Sequence, residues 1–322
     1  MRKPVRSSTA GDKPDGSGGT TIATWNEVPQ ERAQSFGFLN INKPGGITSF
    51  DVIYKLRKIL GVKKIGHSGT LDPLATGVLP IAVGNAARLI EFLEDDKKYV
   101  ATLKFGETST TYDDEGEKTF VAEPDFSLEE LEAVLQDFTG KIKQVPPIYS
   151  AIKIGGKKLY ELAREGKEVE VAPREVEIYD VKILKFTPQN TLTAVPVTEA
   201  KIKVHCSKGT YIRSLAHDIG QKLGCGAYLT ALERTKAGAF EISSAITIEE
   251  AAPDKLIAPA KVLPFPQYEL NETEYQKVKC GNAFTPQKLL TQGKALLVCN
   301  NALIAIASSE GGTVKPLKVM VK

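Results

Sequence analysis

The sequence predicts an α+β protein: a mixed, largely antiparallel central sheet flanked by helices, followed by a small β-rich unit. Three observations support this. Strand-like and helix-like patterns mix along the chain without the regular alternation of a parallel α/β fold. Two segments open with a capping box and continue with one apolar face, as helices do. After the Pro-rich break "APAKVLPFP" at 258–266, a hairpin pattern and a further strand pattern make a small β-rich unit.

Taken in order, residues 1–35 are rich in Gly, Ser, Thr, Asp and Pro without an apolar period, and are expected to form a disordered tail. "FGFLNINKPGG" reads as a strand ending in a Pro-Gly turn. In "TSFDVIYKLRKIL", Thr48 and Asp51 suggest a capping box, and Val52, Ile53, Leu56, Ile59 and Leu60 share one helical face. "VLPIAVG" follows as a strand, and "NAARLIEFL" as a helix with Asn85 as N-cap. "KKYVATLKFG" alternates, placing Tyr99, Ala101, Leu103 and Phe105 on one strand face. "ETSTTYDDEGE" is a polar loop, and "SLEELEAVLQDF" is a helix capped by Ser127 and Glu130. Strands are predicted near "SAIKI", "EVEIYDVKILKF" and "AKIKVHC". The helix "TYIRSLAHDIGQKL" comes next, with Ile212, Leu215, Ile219 and Leu223 as its stripe. Near the end, "KALLVCNN-ALIAIASSE" is a hairpin turning at "NN", and "TVKPLKVMVK" adds a strand.

Composition narrows the function. Apolar residues make up 42% and charged residues 25%, as in ordinary globular chains. No apolar run approaches a membrane span, and the start has no apolar core of a secretory signal. A net charge of +3 does not by itself indicate nucleic acid, so any basic surface must come from local clusters such as "KLRKILGVKK" and "KIGGKKLYELAREGK". The four cysteines and three histidines show no CxxC or HxxxH spacing, so the usual zinc signature is lacking.

"HSGTLDPLATG", residues 67–77, contains one acid, Asp72, remote from Asp51 before it and Glu91 after it. Gly69 and Gly77 permit close backbone approach, and Pro73 stiffens the loop. On the dipeptide alone, Asp72 caps a turn as Asp-Pro often does.

Four stretches together support a different role: "LNINKPGGITSFDVIYKLRK", "KIGHSGTLDPLATGVLPIAVGNAARL", "QVPPIYSAIKIGGKKLYELAREG" and "CSKGTYIRSLAHDIGQKLGCGAYLTALERTKAG". In this order the chain resembles the TruB-type tRNA pseudouridine-55 synthases over residues 36–250. The resemblance implies a pseudouridine-synthase fold: a catalytic domain over 36–260 and a small PUA-like RNA-binding domain over 261–322. It also implies isomerisation of a uridine in the T-arm loop of tRNA, after the base is flipped out, without cofactor, metal or guide RNA. The implied partner is the tRNA T-arm stem-loop. The implied protein is a cytoplasmic monomer with no obligate protein partner and no membrane association.

Residue by residue, the resemblance makes Asp72 the catalytic carboxylate, acting by addition to the sugar or by removing a sugar proton to give a glycal. Arg213 corresponds to the active-site arginine that keeps such a carboxylate ionised and turned. Tyr99 corresponds to the active-site tyrosine, able to stack on uracil and take the C5 proton, although its alternation also fits a core residue. Tyr211 and Leu232 correspond to base-pocket residues, Leu232 fitting core and contact equally. His67 corresponds to a residue set against the RNA, and Asp113 to an acid near the site. Lys43 and Pro44 fit a structural motif under the cleft. Two rivals remain: a guide-RNA-dependent relative acting on ribosomal RNA, and an RNA chaperone without chemistry.

Overall fold

A computed structural model of the chain describes residues 36–150, 152–154, 156–159, 171–188, 198–288 and 290–321. The expected tail and most of the "KIGGKKLYELAREGK" cluster lie outside the described residues. Among those described, four α-helices occur: α1 (Ser49–Leu60), α2 (Leu128–Asp137), α3 (Ile212–Lys222) and α4 (Glu272–Lys279). The strands of the large sheet are β1 (Gly37–Lys43), β2 (Ile65–His67), β3 (Thr76–Val83), β4 (Lys97–Phe105), β7 (Gly140–Gln144), β10 (Arg174–Thr187), β11 (Glu199–Cys206), β12 (Ala227–Ala237) and β13 (Phe240–Glu241). Two short pairs are separate from it: β5 (Glu107–Ser109) with β6 (Lys118–Phe120), and β8 (Lys153–Ile154) with β9 (Lys157–Lys158). The C-terminal sheet holds β14 (Gln267–Glu269), β15 (Gly293–Cys299), β16 (Ala302–Glu310) and β17 (Thr313–Val319).

The large sheet runs β1-β3-β12-β4-β11-β10-β7, with β2 beside β3 and β13 beside β12. Its pairings are antiparallel except for the short parallel contact of β12 with β3, so the sheet is mixed and largely antiparallel as predicted. The alternation in β4 buries Tyr99, Ala101, Leu103 and Phe105 as expected. Both expected capping boxes form, Thr48 with Asp51 and Ser127 with Glu130; such caps contribute about 1 kcal/mol each. α3 lies against β12 and β4, burying Ile212, Leu215, Ala216 and Ile219.

Two local expectations need correction, and two elements have no counterpart among the expectations. "NAARLIEFL" forms two short 3₁₀ turns, Gly84–Arg88 and Ile90–Phe92, with no side-chain cap from Asn85. Its buried Ala86 and Leu89 are three apart, which suits the 3₁₀ repeat. "AYLTALERTKA" is a central strand, β12; register shifts at Leu229/Ala231 and Arg234/Lys236 break its period of two and hide it in the sequence. The polar 107–117 segment enters a hairpin, β5–β6. Helix α4 sits between β14 and β15, headed by an Asn271–Glu274 capping box.

The C-terminal sheet has the order β14-β15-β16-β17. Its hairpin turns at Asn300 and Asn301, both left-handed at φ 50° and 63°, a conformation asparagine tolerates better than most residues. One face packs with Val278 of α4 and with Phe284. On the other, Leu296, Val298, Leu303 and Ile306 join Phe38, Val78, Ala82, Leu89 and Phe240 of the larger unit in one apolar cluster.

Candidate active site

The segment carrying Asp72 runs from β2 into β3 and is fixed from several directions. Ser49, the first residue of α1, both donates to the Leu71 carbonyl (2.9 Å) and accepts from the Leu71 N–H (2.8 Å). The Lys43 ammonium, fully buried, donates to the carbonyls of Pro44 (2.9 Å), Ile47 (2.6 Å) and Pro73 (3.2 Å). Gly77 has φ +96°, and a Cβ there would lie 2.3 Å from the Arg234 carbonyl, so only glycine fits between β3 and β12.

Lys43 yields a testable consequence. Burial lowers its pKa from 10.5 to about 8, against the attraction of Asp72. Between about 8 and 10.5 the unfolded chain therefore holds the extra proton, and the folded state gains relative stability as pH rises through that window. Denaturant unfolding at several pH values should show this gain in the wild type and not in Lys43→Met.

The Asp72 backbone carbonyl, not its carboxylate, accepts the turn bond from Ala75 (3.1 Å). The carboxylate instead pairs with Arg213, Nε to Oδ2 at 2.9 Å. Arg213 opens α3 and is 5% exposed, whereas the Asp72 side chain keeps 35% of its surface toward the cleft. The guanidinium is used on all sides: Nη1 donates to the Thr111 carbonyl (3.1 Å) and lies 3.5 Å from Asp113 Oδ2, and Nη2 donates to the Tyr149 carbonyl (2.9 Å). Burial raises the Asp72 pKa above the usual carboxylate range; Arg213 opposes this and the Asp113 charge adds to it. Asp113 is itself buried, held by the Thr111 hydroxyl and the Glu115 N–H (3.1 Å). Its loop is anchored by Tyr112, which has φ 61° and stacks on His217 with ring centroids 4.0 Å apart.

Asp72, Tyr99, Tyr211, Arg213 and Leu232 line one cleft of about 580 Å³. Tyr99 is buried on β4, and burial pushes its phenol pKa up. Tyr211 caps α3, and its backbone exchanges two hydrogen bonds with the Gln144 side chain (2.8 and 3.0 Å). His67 stands apart from the other candidates: the cleft wall begins at the next residue, Ser68. The His67 pKa is lowered by burial and by Arg234. Gln144, Ser49 and Arg234 escape a sequence reading. Arg234 lines the same cleft, but from a strand whose pattern is hidden.

A cleft crossing a mixed sheet, with a buried arginine holding one carboxylate beside two tyrosines, is the arrangement that the resemblance to pseudouridine synthases implies. The sequence matches the TruB family pseudouridylate synthase N-terminal domain over residues 57–212 and the tRNA pseudouridylate synthase B C-terminal domain over 213–258. It is 42% identical over 301 residues to tRNA pseudouridine synthase B of Dehalococcoides mccartyi, covering 89% of this chain and 97% of that one. It is 48% identical over 221 residues to the Clostridium novyi protein of the same name, covering 68% and 73%. Among solved structures it is similar to that of a Cbf5-Nop10-Gar1 complex, with a TM-score of 0.67 and 25% identity over 90% of this chain and 87% of that one. The chain belongs to the TruB family of pseudouridine synthases.

Proposed function

We propose that this chain isomerises a uridine in the T-arm loop of tRNA, position 55, to pseudouridine, with Asp72 as the central group. The observation that carries this reading is the Asp72–Arg213 pair at the cleft shared with Tyr99 and Tyr211. A uridine within a folded loop must leave its stack before Asp72 can meet its sugar. Arg213 engages Oδ2, and among the described residues Oδ1 has no ion-pair partner, so it is free for the sugar. The carboxylate acts there as the N-glycosidic bond breaks, by addition or by proton removal. The base turns and reattaches through C5. Tyr99 stacks on it and takes the C5 proton, while Tyr211 and Leu232 bound the base. The reaction is an isomerisation and needs no external reactant. His67 contacts RNA at the rim, and Asp113 backs Arg213.

The same reading makes the chain a cytoplasmic monomer that works without guide RNA or protein partner, with 1–35 as a tail, 36–260 as the catalytic domain and 261–322 as a PUA-like RNA-binding unit. Among the described residues no helix is long and apolar enough to cross a membrane. Release of tritium from uridine C5 of tRNA, by this chain alone, is the test. Binding without release would favour the chaperone reading, and a need for guide RNA the other rival.

RNA recognition through shape and phosphates implies salt-sensitive affinity. α1 and its following turn present Lys55, Lys58, Lys63 and Lys64 to solvent. Log Kd for tRNA should rise linearly with log salt, and an isolated T-arm hairpin should remain a substrate. A salt-independent Kd would contradict phosphate-based recognition.

A further inference from the structure

Three non-glycine residues among those described have positive φ: Asn300 and Asn301 at the hairpin tip, and Tyr112. The left-handed region is disfavoured for an aromatic residue and persists only where the surroundings enforce it. Here several contacts do so. The Tyr112 N–H donates to the Ser109 carbonyl (3.0 Å), and its carbonyl accepts from the Leu229 N–H of β12 (3.1 Å). Its ring stacks on His217 of α3, with centroids 4.0 Å apart and planes 15° from parallel. The Thr108 hydroxyl, on β5, lies 3.3 Å from His217 Nδ1 and fixes the tilt of that imidazole. Burial lowers the His217 pKa, so the ring is uncharged at neutral pH.

His217 follows Arg213 by four residues, so both side chains share one face of α3. The 109–113 turn lies along that face, and three consecutive residues of it engage the helix. Thr111 gives its carbonyl to Arg213 Nη1 (3.1 Å), Tyr112 gives its ring to His217, and Asp113 sets Oδ2 3.5 Å from Nη1. Arg213 thus has two carboxylates in reach, Asp72 at 2.9 Å and Asp113 at 3.5 Å. A turn closer to α3 would let Asp113 compete with Asp72 for the guanidinium. A turn farther away would release Nη1. Either shift rotates a rigid planar fork and misaims the Nε that faces Asp72.

We propose that the Tyr112–His217 stack positions Arg213. The stacked rings set the distance of the turn from α3, so that Thr111 and Asp113 steady the guanidinium while Nε stays on Asp72. Neither ring lines the cleft, so both act through Arg213 and not on the reacting atoms. This rests on the reading of Asp72 and Arg213 as the central pair of the reaction.

The test measures single-turnover tritium release from tRNA, tRNA affinity and melting temperature. It compares the wild type with Tyr112→Gly, His217→Leu, His217→Phe and Asp113→Asn, and with Asp72→Asn as a control on the site itself. Glycine takes the left-handed backbone without strain but removes the ring, so a purely conformational role for Tyr112 predicts no loss. Tyr112→Gly and His217→Leu should bind tRNA unchanged and react ~10-fold more slowly, short of the roughly 10²-fold cost of a catalytic group misplaced by an ångström. His217→Phe, which keeps a flat ring, should recover most of the rate lost in His217→Leu. In an Asp113→Asn background, Tyr112→Gly should cost less than it does alone, because both changes act on Arg213. Should Tyr112→Gly fail to fold, Tyr112→Asn, which also tolerates positive φ, takes its place in the same comparison. Wild-type rates in Tyr112→Gly and His217→Leu would overturn the proposal. So would losses confined to affinity, equal losses in His217→Leu and His217→Phe, or full additivity with Asp113→Asn. An Asp72→Asn variant as fast as the wild type would instead overturn the reading of the site, and this proposal with it.

Discussion

Asp72→Asn should lose isomerisation by on the order of 10⁴-fold or more, the scale of removing one member of a cooperating catalytic set. The amide keeps the size of the side chain and an oxygen to face Arg213 Nε, now 2.9 Å from Oδ2 in an ion pair. The segment is held by Ser49, Lys43 and Arg234 through backbone carbonyls, none of which the change touches. The fold and tRNA affinity should therefore persist, and the loss should fall on turnover. Tritium release alongside filter binding separates the two. Substantial residual turnover would show that the anion is not the central group.

Arg213→Lys should reduce turnover by about 10²-fold, the effect of misplacing a catalytic group by around an ångström. A lysine keeps the charge but presents a point donor in place of a planar fork. It cannot meet Asp72, the Thr111 carbonyl and the Tyr149 carbonyl together, and those three contacts come from three separate loops. The pH profile should also move. In the proposed role Asp72 works as an anion; burial raises its pKa, and Arg213 is the main force holding it down. Activity in the wild type should thus fall on the acid side at a pH above that of an ordinary aspartate. In the lysine variant that limb should move further up. A profile identical to wild type would mean that Arg213 does not govern the ionisation of Asp72.

Much of this architecture is legible in the residues. α1 and α2 announce themselves by capping boxes, and β4 by strict alternation, because each obeys a local rule. The tip at Asn300 and Asn301 is equally local. β12 is not legible, because its two bulges are set by its neighbours in the sheet. Arg234 stays invisible for the same reason: its alignment with Tyr99 and Gly77 exists only once β12 is placed between β3 and β4. The α4 cap, Asn271 with Glu274, is a local signal of the same kind, set in a polar stretch with little apolar pattern around it. Asp72 and Arg213 are recognisable from long motifs, but their pairing joins residues far apart in sequence. The sequence also places Arg213 off the apolar stripe of its helix, as a surface residue would be; contacts with Asp72, Asp113 and the Thr111 and Tyr149 carbonyls make it an interior one.

The cluster joining Leu296, Val298, Leu303 and Ile306 to Phe38, Val78 and Phe240 changes what the Pro-rich break at 258–266 means. That break looks like a tether between separable modules. With a common interior, the small sheet is instead a buttress: it seals the side of the large sheet on which β1 and β3 lie, and β3 continues directly from the loop bearing Asp72. Severing the chain there would leave two greasy scars rather than two finished surfaces, so the appendage is not a cassette to be exchanged freely between relatives. Any swap must carry its matching wall with it.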